Sequence, residues 1–98
     1  MARRVVWTES AWQEVECAAS FVSRDSPRYA AALVDEARSA ARALRTFPAR
    51  GRMVPELNDD SVRELFVKEC RLICELRPDR VVILAFVHGA CQLPRNPR

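Results

Sequence analysis

The chain has 98 residues, 49% apolar and 30% charged, with a formal charge of +3. That length fits one compact domain, which buries roughly 60–65% of its unfolded surface and needs no disulfide or metal to hold it. No apolar run nears the ~18 residues of a membrane span, and MARRVVW lacks the apolar stretch of a secretory signal, so a cytoplasmic protein is expected.

The positive charge is all arginine except for Lys68. It favours an acidic partner, protein or nucleic acid, without choosing between them. The four cysteines are Cys17, Cys70, Cys74 and Cys91, with no C-x-x-C and only His88 to add an imidazole. Neither a zinc site nor a disulfide framework is expected from that pattern. The thiols read as free and mostly buried, acting as small hydrophobes.

In chain order, RRVVW at 3–7 is β-branched and aromatic and reads as a short strand. Thr8 and Ser10 are both good helix caps, and Ser10 with Gln13 fits a capping box. Ala11, Val15, Ala18, Ala19 and Val22 then share one helical face, with Glu14, Glu16 and Ser20 away from it. Cys17 falls on the polar side. Ser26-Pro27 opens a second helix, running to about Arg45. Its apolar face is Ala30, Leu33, Val34, Ala37, Ala41 and Leu44, and the short break implies a helical hairpin. The alanines let the two helices approach closely.

Phe47-Pro48 and Gly51 end the helical region, and a loop through MVPELNDDS follows. The period then changes to 2. VRELFV, CRLICEL and RVVILAFV read as strands of an antiparallel meander, turning at Lys68-Glu69 and Arg77-Pro78-Asp79. RVVILAFV is apolar throughout and should be an inner strand. In ECRLICEL, Cys70, Leu72, Cys74 and Leu76 share one face, and Arg71, Ile73 and Glu75 share the other. Cys70 and Cys74 lie about 13 Å apart on such a strand, too far to bridge or share a metal. Arg71 stands on the face away from the helices, either in an ordinary ion pair with Glu75 or as a contact for a partner. The fold class is α+β, ordered β-α-α-β-β-β. A helical hairpin packs on one face of a small, mainly antiparallel sheet, and the other face is open or filled by something else. One domain spans 1–98, with 92–98 as an extended tail.

V-x-W-T at 5–8, the alanine-rich helical pair, F-P at 47–48, G-R-x-V-P-E-L at 51–57, R-E-L at 63–65, C-R-L-I-C at 70–74 and V-I-L-A-F-V-H-G-A at 82–90 follow one another in order. This set resembles the RelE/ParE superfamily of toxins from type II toxin–antitoxin systems, and the G-R-x-V-P-E-L and H-G-A pieces resemble its ParE branch. The resemblance implies a protein that inhibits DNA gyrase, stabilises plasmids and is neutralised by a cognate antitoxin. No cofactor or metal is implied. Two alternatives stay open: a RelE-like ribosome-dependent mRNA endoribonuclease, and a degenerate member that only binds an antitoxin.

Metal-free RNA cleavage needs a base, an acid and positive charge on the phosphorane. Arg71 matches the strand arginine of the RelE-like nucleases, and His88, with Glu56 or Glu69, is the remaining candidate set. Cys70 stands where the family usually has an aromatic, Ala90 or Cys91 replaces a basic residue, and the sole tyrosine, Tyr29, lies in a helix. These departures point away from an enzyme, and direct nucleic-acid binding is left open. Arg38, Arg42 and Arg52 are the arginines expected to meet an acidic antitoxin, in a groove between hairpin and sheet edge.

Overall fold

The structure, a computed structural model, describes residues 3–88. The elements run β1 (Arg4–Trp7), α1 (Glu9–Ser23), α2 (Pro27–Ala43), β2 (Arg52–Met53), β3 (Val62–Val67), β4 (Cys70–Leu76) and β5 (Arg80–His88). They form one five-stranded sheet in the order β1-β5-β4-β3-β2. β1 pairs parallel to β5, and the other pairings are antiparallel. β5 is therefore an inner strand, as its unbroken apolar run requires. Cys91 and the expected tail at 92–98 lie outside the described residues.

Thr8, rather than Ser10, caps α1. Its backbone is extended and its Oγ1 accepts from the Ala11 N–H at 3.1 Å. The same hydroxyl donates to the Ile83 carbonyl at 2.9 Å, which ties the helix start to β5. Ser10 sits inside the first turn, and Gln13 bonds Glu9 instead of closing a capping box. Glu14 also departs from its expected place on the solvent face. Its carboxylate accepts from the Phe86 N–H at 3.0 Å. β1 stops at Trp7, so Thr8 and Glu14 satisfy backbone groups on the β5 edge that no strand reaches. Ser26 caps α2 as expected, its Oγ accepting from the Tyr29 N–H with Pro27 at the first helical position.

The hairpin covers one sheet face. Ala11 and Val15 from α1, Leu33, Ala37 and Ala41 from α2, and Leu44 at its C-cap bury against Leu72, Cys74, Val81, Ile83 and Phe86. Each large side chain buried here contributes about 1.5–3 kcal/mol. Cys70 and Cys74 are in this cluster, with Leu76 packed at its margin, so the expected face assignment of β4 holds. Cys17 is exposed and Cys70 and Cys74 are buried free thiols. Burial raises the Cys74 pKa to about 11, and it raises that of Cys70 as well.

The second face is not open. Val54, Val62, Ile73, Val82, Leu84 and Ala85 form a separate core there, with Leu57 and Val87 against it. The loop after β2 lays Val54 and Leu57 over the sheet. A bulge lets both faces be filled. Ile73 pairs with Ala85 and Cys74 with Ile83, so Leu84 is the extra residue. Leu84 and Ala85 thus join the same core, while Ile83 and Phe86 join the other.

The two-residue β2 strand has no counterpart in the six-element order expected from sequence. Gly51 makes it possible. A Cβ at that position would sit 2.8 Å from the Glu64 carbonyl oxygen, a backbone atom that cannot turn aside.

Candidate functional site

Arg71 is not alone on an exposed surface. It is 5% exposed and projects into the second face of the sheet. Its guanidinium donates to both Glu56 oxygens, at 3.0 and 2.7 Å, and to Glu64 Oε2 at 3.0 Å. The other Glu64 oxygen accepts from Arg52 Nε at 2.7 Å. Four charges thus alternate across β2, β3, β4 and the loop after β2, summing to zero. The forked bond to Glu56 is the main reason that the Arg71 pKa is raised, with burial opposing it. Of the two readings of Arg71, the ion pair with Glu75 is replaced by pairs with Glu56 and Glu64, and Glu75 meets Arg77 at 2.8 Å.

These partners follow from register. Phe66 pairs with Arg71 and Glu64 with Ile73, so Glu64 lies diagonally beside Arg71 on one face. Arg52 pairs with Glu64 across β2 and lies over the Phe66 ring at 5.0 Å. Sequence reasoning missed Glu64. An acidic residue in phase with Val62 on an inner strand was the available signal that this face is buried.

Of the nuclease candidates, Arg71 and Glu56 are brought into contact. Glu56 neutralises Arg71, and Glu69 sits in the β3–β4 turn at the end of the sheet. His88 ends β5 in register with Cys70. Among the described residues no group of three or more His, Cys, Asp or Glu is placed to hold a metal ion, and no helix is long and apolar enough to cross a membrane.

The three arginines expected at a partner surface separate. Arg38 and Arg42 line a groove of about 420 Å³ with Val5, Trp7, Trp12, Ala41 and Arg45. Arg38 lies over the Trp12 ring at 4.9 Å, and Trp12 meets Trp7 edge to face at 5.2 Å. Arg52 is on β2, at the opposite edge of the sheet from β1. A second groove, about 410 Å³, is mainly apolar and includes Phe21, Tyr29, Lys68 and Phe86.

The fold and these surfaces define a small α+β domain with a charge-locked sheet face and two grooves beside the helices. A family model described as the ParE toxin of type II toxin–antitoxin systems (parDE) matches residues 5–93, and the chain belongs to that family. Among solved structures, a chain of the chromosomal ParDE toxin–antitoxin system from P. aeruginosa is similar, with a TM-score of 0.70 at 17% identity. The match covers 89% of this chain and 96% of that one, and it speaks to the fold. No curated protein matches the chain.

Proposed function

We propose that the chain is a binding toxin of the cytoplasm: it inhibits DNA gyrase and is neutralised by a cognate antitoxin. The observation that carries this reading is the state of Arg71. A nuclease needs that cation turned toward phosphate, whereas Glu56 and Glu64 hold it inside a neutral buried network. Moving a phosphate into their place would leave two carboxylates without their cation.

Acidic residues of the antitoxin meet Arg38 and Arg42 in the groove against Trp12. Arg52 lies at the far edge and is reached by a segment that crosses the molecule. Binding of this kind weakens as salt rises. Induced expression tests the reading. Growth arrest that is reversed by the antitoxin, with transcripts intact by primer extension, is the expected outcome. Codon-positioned cuts in ribosome-bound transcripts would replace it with the RelE-like nuclease, and unaltered growth would leave only an antitoxin-binding protein.

A further inference from the structure

The net positive charge is not spread evenly. Arg38 and Arg42 stand one turn apart on α2, Arg45 follows in the turn past its end, and all three line the groove beside β1. The Arg3 N–H donates to the Arg45 carbonyl at 2.9 Å, which brings Arg3 to the same corner. None of these four arginines forms an ion pair among the described residues. Asp35, one turn before Arg38, makes none with it either. By contrast, Arg52, Lys68, Arg71, Arg77 and Arg80 each hold a carboxylate.

We propose that this corner grips the phosphate backbone of duplex DNA. Arg38 and Arg42 are separated by one helical turn, about 6 Å of rise, and Arg45 follows just past the helix end. The three guanidiniums along one side of the groove each meet a phosphate of the duplex, which carries one charge per about 3.4 Å of axis on each strand. Guanidinium forks suit phosphate oxygens, and all four cations are arginine. The geometry also chooses duplex over single strands. Single-strand binding relies on open aromatic faces on which bases stack. Here Trp12 is covered by Arg38 and edged by Trp7, so the groove offers no free ring.

The contact is to backbone, and therefore independent of sequence. It goes beyond gyrase inhibition and stands without it, since the chain alone makes it. One consequence rests on the antitoxin reading: an acidic antitoxin segment at Arg38 and Arg42 would compete with DNA for the same cations.

The test is fluorescence anisotropy of a labelled 20-base-pair duplex with the full chain and no gyrase present. Three phosphate contacts predict a slope of about −3 in log K against log salt, an affinity loss of about 40-fold from 50 to 200 mM. R38Q/R42Q/R45Q should lose at least tenfold in affinity at 50 mM salt and flatten the slope. R42Q/R45Q, which leaves Arg38 on Trp12, should do so in part if the triple variant fails to fold. R38K/R42K/R45K should keep the slope, and R24Q/R28Q at the other end of the hairpin should bind as the parent does. Four results would each overturn the proposal. These are no duplex binding at 50 mM salt, an unchanged slope in R42Q/R45Q, tighter binding of single-stranded RNA of equal length, and binding of polyglutamate without binding of duplex.

Discussion

Arg71→Met isolates the buried charge network. Methionine keeps most of the packing volume and removes the cation. Glu64, whose side chain is wholly buried, is then left with Arg52, whose own side chain is 61% exposed. Glu56 is nearer solvent and recovers hydration more readily. Removing one partner of a buried pair costs about 3–5 kcal/mol, and the surviving Arg52 contact sets the expected loss at the lower end, about 3 kcal/mol. In a domain of 98 residues that lowers the melting temperature by about 12–24 °C. Replacing both charges tests the cause. R71M/E64M removes the stranded carboxylate along with the cation and should recover about 1–2 kcal/mol over R71M alone. Urea unfolding with a constant m-value measures both. A loss below about 0.5 kcal/mol in R71M, the range of ordinary surface changes, would refute the reasoning. So would a double variant less stable than the single one.

Gly51→Ala should destabilise by about 1–3 kcal/mol in urea, because its Cβ meets the Glu64 carbonyl oxygen at 2.8 Å. Thr8→Ala should cost about 1–2 kcal/mol and Thr8→Ser much less, whereas Ser10→Ala should be nearly neutral; equal losses at 8 and 10 by thermal melting would return the cap to Ser10. Cys74 predicts an alkaline loss of stability. Its folded pKa, about 11, lies above the ordinary 9.0, so the neutral thiol is favoured in the fold and stability is complete below pH 9. Between pH 9 and 11 the unfolded chain holds fewer protons than the folded one, so stability falls as pH rises, by up to about 2–3 kcal/mol. Cys74→Val should lose less over that window than the parent chain; parallel pH profiles would contradict the assignment.

Much of the fold was legible because periodicity reports faces. The switch from 3.6 to 2 separated hairpin from meander, and β4 divided its residues correctly between two sides. Periodicity does not report what covers a face, and Arg71 shows the difference. Its phase was right, but its burial depends on Glu56, fifteen positions upstream in an irregular loop, and on a strand register that sequence does not supply. The Leu84 bulge was hidden because RVVILAFV is apolar on both faces, so a slip of one residue leaves its pattern unchanged. β2 was missed because two residues carry no period. Of the three arginines expected at a partner surface, Arg38 and Arg42 line one groove as their helical spacing suggests, but nothing local revealed that Arg52 lies at the opposite sheet edge.

The most direct measurement of the central proposal is DNA supercoiling by purified gyrase as the chain is titrated in. Inhibition by a gyrase poison requires supercoiling to fall with dose and gyrase-linked cleaved DNA to accumulate, both prevented by the cognate antitoxin. Unaltered supercoiling, with no trapped cleavage product at a large excess of folded chain, would contradict it.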